Sequence, residues 1–203
     1  MLRTTLFMLS LAGFLFAEDK LGIFEGASDV GNPSQRGSVA FDAAKKEYRV
    51  TGGGANIFEK KDDFYFVWRK ISGDVTITAD LKIESEGVGR RKAGLMLRKS
   101  LETAAVYADV VVHGDGLTAL QYREKAGDMT IGKPSALKAP TRIRLERRGD
   151  TITAWAGNAD GTLQQLGSAK LNIGDPVYVG LAVCPHNDKA SLTAAFSGVT
   201  IQP

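Results

Sequence analysis

The chain of 203 residues holds one cysteine, Cys184, and two histidines, His113 and His186. A lone cysteine closes no internal disulfide, so stability has to come from a packed core. Cys184 ends the strand-like run VYVGLAVC, with no helix N-terminus to activate it, and reads as a small buried residue rather than a nucleophile. Two histidines without HxxxH or CxxC spacing exclude an ordinary zinc site, and without a nucleophile-elbow motif they give no Ser-His-Asp arrangement. Charge of one sign is also lacking: 26 Lys and Arg stand against 23 Asp and Glu. That balance implies no obligate anionic partner, and nucleic acid is not expected.

Beyond the first seventeen residues no long apolar run occurs. MLRTTLFMLSLAGFLFA has the organisation of a signal peptide: Arg3 supplies the positive n-region, Leu6 to Phe16 the apolar run and Ala17 the small residue before a cut at Glu18. The run falls short of the roughly 20 residues needed to span a bilayer. Residues 1–17 are therefore expected to be removed, leaving residues 18–203 as one domain without a transmembrane segment, exported to the periplasm or the extracellular space. No cysteine at the cut offers a site for lipid attachment.

What the chain has is strict period-2 alternation. Val75, Ile77, Ala79, Leu81 and Ile83 alternate with Thr76, Thr78, Asp80 and Lys82. Leu95 and Leu97, Val106 and Val110, Leu120, Ile143 and Leu145, and Val179, Leu181 and Val183 follow the same rhythm. Turns such as Gly73-Asp74 and Gly149-Asp150 separate the runs. Short alternating strands punctuated in this way predict an antiparallel all-β domain. Residues 25–38 read as loop and residues 133–141, which contain Pro134 and Pro140, as a crossover. The stripe Phe64, Phe66, Trp68 is expected to face the interior. No tandem repeat or linker divides the domain.

Three segments carry a family resemblance. They are SDVGN…GSVAFD…YRVTGGGANIFEKKDDFYFVWRKISGDVTITADL, KAGLMLRKS…LQYRE and VGLAVCPHN…AAFSGVTI. Together they resemble a family of bacterial secreted jelly-roll domains in the concanavalin A-like lectin/glucanase superfamily, akin to the "regulation of enolase" proteins. The resemblance spans nearly all of residues 18–203 and implies a single antiparallel β-sandwich with a sugar site on its concave sheet face. It specifies no chemistry, because that superfamily hosts lectins, glycosidases, lyases and interaction domains.

If the leucines and valines above point into the sandwich, the opposite face shows Gly94, Met96, Arg98, Tyr107, Asp109, His113, Gln121, Arg123, Gly180 and Ala182. The small residues there are expected to leave room for a ligand, and Arg98, Tyr107, Asp109, Gln121 and Arg123 to hydrogen-bond its hydroxyls or carboxylates. Trp155, out of phase with Ile152 and Ala154, is a candidate plate for stacking a sugar ring.

Catalytic machinery is harder to find. Glu84 and Glu86 are the only closely spaced glutamates ending a strand, and beside Arg90, Arg91 and Lys92 they read as surface salt-bridge formers. The ExDxxE pattern of glucanases on this fold is missing, as are the RxExR, QxH and YxKxGxY patterns of jelly-roll alginate lyases. Asp29, Asn32, Asn158, Asp160, Asn187 and Asp188 offer oxygen donors for a structural calcium ion, although turns require the same residue types; no other cofactor is implied. Arg142, Arg144 and Arg148 form a basic stripe interrupted by Glu146, expected to be a solvated outer face. The expected function is a non-catalytic, glycan-associated domain taking a polysaccharide or oligosaccharide. The alternatives are a divergent glycoside hydrolase or polysaccharide lyase on the same fold, and a structural module of the cell envelope.

Export is directly testable. N-terminal sequencing of protein secreted by the source cell should begin within a residue or two of Glu18, and an intact Met1 in the mature pool refutes the assignment.

Overall fold

A computed structural model describes residues 21–203 apart from Ala159. The signal-peptide assignment of residues 1–17 lies outside the described residues. Fifteen strands and no helix occur among them: β1 (Gly26–Val30), β2 (Ser38–Asp42), β3 (Glu47–Gly52), β4 (Asn56–Phe58), β5 (Lys61–Ile71), β6 (Val75–Ile83), β7 (Lys92–Arg98), β8 (Tyr107–His113), β9 (Leu117–Arg123), β10 (Ile131–Lys138), β11 (Arg142–Arg148), β12 (Thr151–Gly157), β13 (Leu163–Lys170), β14 (Val177–Cys184) and β15 (Leu192–Gln202).

All pairings are antiparallel. One sheet runs β1-β5-β14-β7-β8-β9-β10, with β4 joined to β5; the other runs β13-β12-β11-β6-β15-β3-β2. The two close as a jelly-roll sandwich, the fold class expected from the alternation. Between them lies one core containing Ile77, Leu81, Leu95, Leu97, Val110, Leu145, Leu181 and Phe196. β6 alternates buried and half-buried residues almost to its end, as its sequence requires of a strand covered on one face. Gly73 and Gly149 open the two Gly-Asp turns with φ of 79° and 55°, values that suit a residue without a Cβ.

Three expectations need correction. The segment 25–38 is not all loop: β1 forms there because Gly26 lets the Trp68 indole lie across it, and a Cβ at Gly26 would sit 2.5 Å from that ring. Residues 131–138 form a strand despite Pro134. β10 is the edge of its sheet and breaks register between Pro134 and Lys138, which is where a proline can be tolerated. The Phe64, Phe66, Trp68 stripe does not face the sandwich interior. Tyr65 and Val67 do, while Phe64 and Phe66 join Val30, Ile57, Met96, Tyr107, Ala182 and Cys184 in a second apolar cluster on the outer face of the eight-stranded sheet.

That second cluster distinguishes the two sheets. β7 and β8 are buried at every position, so the eight-stranded sheet is covered on both faces across its middle. The cover consists of β4 and the loops at 99–106 and 124–130. The outer face of the seven-stranded sheet is largely polar and half-buried.

Candidate functional site

The cover is pinned by one buried carboxylate. Asp62, near the start of β5, lies on the outer face of the eight-stranded sheet beside Arg98 at the end of β7 and Arg123 at the end of β9. Arg123 grips it with both forks, Nη2 to Oδ1 at 2.7 Å and Nη1 to Oδ2 at 2.8 Å; Arg98 Nη1 donates to Oδ2 at 2.7 Å. All three side chains are fully buried. Further guanidinium protons go to backbone carbonyls of the cover, while Arg98 Nε is buried without a partner. Arg98 reaches Glu102 and Thr103, and Arg123 reaches Glu59, Ala105 and Asp128. The Tyr107 ring lies 5.6 Å from the Arg98 guanidinium and 5.0 Å from that of Arg123, and its hydroxyl pairs with Thr130 Oγ1 at 3.1 Å.

This arrangement corrects the sequence reading of Arg98, Arg123 and Tyr107. They share the expected face, but loops seal them from solvent and Asp62 occupies both forks, so a ligand has no route to them. The expectation that small residues clear a groove also fails. A Cβ on Gly94 would lie 2.0 Å from the carbonyl oxygen of Val110, and one on Gly180 would lie 1.9 Å from that of Val67. Close approach of neighbouring strands demands these glycines. Ala182 packs into the second apolar cluster.

Farther along the same face, beyond the Asp62 cluster, the cover leaves a pocket of about 400 Å³. It is lined by Asn56, Phe58, Glu59, Arg90, Lys92, His113, Gln121 and His186. Gln121 and His113 are 5% and 3% exposed, yet Gln121 Oε1 and both ring nitrogens of His113 have no hydrogen-bond partner. Asp109, the cross-strand neighbour of Gln121, is wholly buried and both its carboxyl oxygens also lack partners. Most buried polar groups in folded proteins are paired, so a cluster of orphans beside a cavity marks a place built to receive polar atoms. Of the expected ligand residues, Gln121 lines this pocket and Asp109 lies wholly buried beside it.

The electrostatics of the pocket are set by burial and by two cations. Lys92, 2% exposed, donates to Asn56 Oδ1 at 2.9 Å and to the Ile57 carbonyl at 3.3 Å, and burial lowers its pKa. Burial holds the Asp109 carboxyl well above the ordinary carboxylate range, with Lys92 opposing that shift. His113 is pushed down to about 4 by burial and then by Lys92. His186, whose Nδ1 lies 3.1 Å from Asn56 Oδ1, is also lowered, by burial and then by Lys92 and Arg90. Burial thus disfavours the charged forms of Lys92, Asp109 and both histidines at and beside the pocket.

Sequence reasoning placed His113 on the expected face but missed Asn56, Phe58, Glu59, Arg90, Lys92 and His186 as pocket residues. Lys92 could have been found, since its parity in KAGLMLR matches Gly94 and Met96. The others come from β4 and from loops, where alternation carries no signal. Trp155 lies elsewhere: it points outward from β12, opposite Arg144 on the seven-stranded sheet, so the sandwich separates it from the pocket. Trp68 is half-buried and meets Tyr178 edge-on at 4.9 Å on the outer face of the eight-stranded sheet.

The remaining candidates are engaged structurally. Glu84 pairs with Arg49 at 2.8 Å and exposed Glu86 lies 3.8 Å from Arg91. Arg142 forks onto Asp80, and Arg148 pairs with Glu146, which neutralises much of the basic stripe. Among the calcium candidates, Asp29 accepts from Gly37 N, Asp160 from Thr162 N, Asn187 from Lys189 N and Asp188 from Ser34 N. The Asp160 and Asn187 bonds form turns and Asp188 ties its loop to Ser34, and the described residues bring no three acidic, histidine or cysteine side chains together as a metal cage. Cys184 donates toward the Gly54 and Asp63 carbonyls, and burial pushes its thiol up to about 12, far from the range of a nucleophile.

Two measurements test this description. Asp62→Asn leaves two buried guanidiniums facing a neutral amide and should cost about 3–5 kcal/mol in denaturant unfolding; a loss below about 1 kcal/mol contradicts the central role of the carboxylate. The pH dependence has two opposing parts. His113, lowered to about 4, favours the folded state above the unfolded-state pKa of about 6.5, and that stability is lost as pH falls toward 4. Asp109 is raised, so its contribution is present at low pH and lost as pH rises above about 4. Between pH 4 and 6.5 (about the span of these two values) the stability of His113→Gln relative to the parent should fall with rising pH, and that of Asp109→Asn should rise. Parallel slopes would refute the assignment.

No protein-family model matches this chain, and no curated protein sequence does. Solved structures do match its fold. A functionally unknown protein from Saccharomyces cerevisiae superposes with a TM-score of 0.65 at 13% identity, covering 87% of this chain and 95% of that one. The carbohydrate-binding module CBM66 from Bacillus subtilis gives 0.57 at 18% identity, covering 89% and 98%. A β-1,3-1,4-glucanase (lichenase) from a mouse hindgut metagenome gives 0.54 at 12% identity, covering 94% and 97%. At these identities the likeness establishes the jelly-roll fold, one that carries both carbohydrate-binding and carbohydrate-cleaving proteins.

Proposed function

We propose that this chain is an exported, non-catalytic carbohydrate-binding domain that takes a glycan into the pocket between β4 and the outer face of β7–β9. One observation carries the reading: Gln121 and His113, buried and without hydrogen-bond partners, line a pocket of about 400 Å³ beside the wholly buried, equally unpartnered Asp109. A saccharide presents a dense set of hydroxyls, each both donor and acceptor, which suits an unpartnered amide oxygen and an unpartnered imidazole together. Phe58, half-buried on the pocket wall, supplies an apolar surface for the C–H face of a sugar ring. The carbohydrate-binding module among the structural neighbours supports the same reading at the level of fold.

Catalysis is the second reading, favoured by the coexistence of an acid held protonated, Asp109, and an exposed carboxylate at the rim, Glu59. Against it, Asp109 has no exposure and does not itself line the pocket.

A glycan array with the mature domain tests the proposal. The parent should retain one class of glycan, and Gln121→Ala should weaken that binding at least about tenfold with an unchanged melting temperature, as expected for removal of a hydrogen bond in a desolvated site. No bound glycan, or binding indifferent to Gln121→Ala, overturns the reading. Release of soluble sugar from a bound polysaccharide, abolished by Glu59→Gln, establishes the enzyme instead.

A further inference from the structure

Resting on that reading of the pocket, we infer that it selects acidic saccharides, with Arg90 at the mouth taking the sugar carboxylate.

Arg90 is the one described arginine whose guanidinium makes no hydrogen bond or ion pair, the nearby Asp115 acting on it only through its longer-range field. Every other described arginine donates to a carboxylate, a hydroxyl or a backbone carbonyl. Arg90 is exposed and lines the pocket with all its donors unused. A free planar fork at the mouth of a cavity matches the two oxygens of a carboxylate in a way that a single hydroxyl does not.

Lys92 adds to the demand for an anion. Its ammonium is buried, its two hydrogen-bond partners are neutral oxygens, and no carboxylate lies within ion-pair distance. A buried charge that is not paired is costly, and an arriving anion offsets that cost. The field of the two cations is felt around the site: Arg90 disfavours the charged forms of Lys92, His113 and His186, and Lys92 does the same to both histidines. The titratable groups facing one another here are thus Arg90, Lys92, His113, His186, the buried acid Asp109 and two exposed carboxylates, Glu59 on the pocket rim and Asp115, which acts on Arg90 and His113.

A neutral sugar would satisfy Gln121 and His113 while leaving the Arg90 fork and the Lys92 ammonium without a directly bound anion. A uronic acid satisfies both: its hydroxyls reach the orphaned acceptors on the pocket wall, and its carboxylate meets Arg90 at the mouth.

The experiment is calorimetric titration of the mature chain with oligogalacturonides, oligoglucuronides and oligomannuronides, each paired with the same oligosaccharide after reduction of its carboxyls to alcohols. At least one oligouronide should bind about tenfold or more tightly than its reduced partner, the effect expected of one charge-assisted bond. Arg90→Gln should collapse that preference, and Arg90→Lys should restore only part of it, since a point charge keeps attraction but not the fork. Equal affinity for acidic and reduced partners, or a preference that survives Arg90→Gln, overturns the acidic selectivity and leaves glycan binding standing. Binding of neither kind of oligosaccharide refutes the inference together with the glycan reading beneath it.

Discussion

A single carboxylate, Asp62, holds the outer face of the eight-stranded sheet together. Two guanidiniums converge on it in the protein interior, and their further donors reach backbone carbonyls of three separate segments. Because Arg98 and Arg123 stand on β7 and β9, the cluster fastens the residues after β4 and the loops at 99–106 and 124–130 onto the sheet. Those segments have few apolar side chains with which to dock themselves. Their attachment is polar and geometric, and it exists only while the charges balance. The wall of the pocket formed by Asn56, Phe58 and Glu59 therefore depends on an interaction that the pocket itself does not contain.

The same cover explains why this sheet is built differently from its partner. A strand open to solvent on one face tolerates polar residues at alternate positions, as β6 and β11 do. β7 and β8 are buried on both faces, so their outward positions hold Met96, Tyr107 and a few polar groups that must be paired or left unsatisfied. Paired groups serve the fastening; unpaired ones gather at the pocket. Arg98 and Arg123 belong to the first class, Asp109, His113 and Gln121 to the second. The boundary between structural and receptive polar groups on one sheet face runs between residues a few ångströms apart along the same strands, β8 and β9.

The pocket combines groups that water and protein leave unsatisfied in opposite senses. Gln121 Oε1 lacks a donor, while Arg90 lacks an acceptor and Lys92 lacks a countercharge. Burial disfavours the charged forms of Asp109 and of both histidines, and Lys92 and Arg90 add to that effect in the histidines. Saccharide chemistry supplies hydroxyls for the first need and, in its acidic forms, a carboxylate for the second.

Much of the fold was legible in the sequence. Alternation in Val75–Ile83 and Arg142–Arg148 assigned inward and outward residues correctly, because side-chain direction along a strand is a local property of the backbone. It also placed Arg98, Tyr107, Asp109, Gln121 and Arg123 on one face. What alternation cannot report is whether that face is open. Cover comes from residues 56–59, 99–106 and 124–130, distant in sequence from the strands they overlie, and their docking depends on a carboxylate at position 62 that no local pattern distinguishes from a surface aspartate. FYFVW shows the same limit in miniature: with apolar residues on both sides of β5, nothing local says which side meets the other sheet. The sequence determined most of the strands, the facing of those with strict alternation, and the sandwich. Only the tertiary structure decided which polar residues are consumed in holding it closed and which are left free to bind, because charge pairing across the fold is set by long-range contact rather than by periodicity.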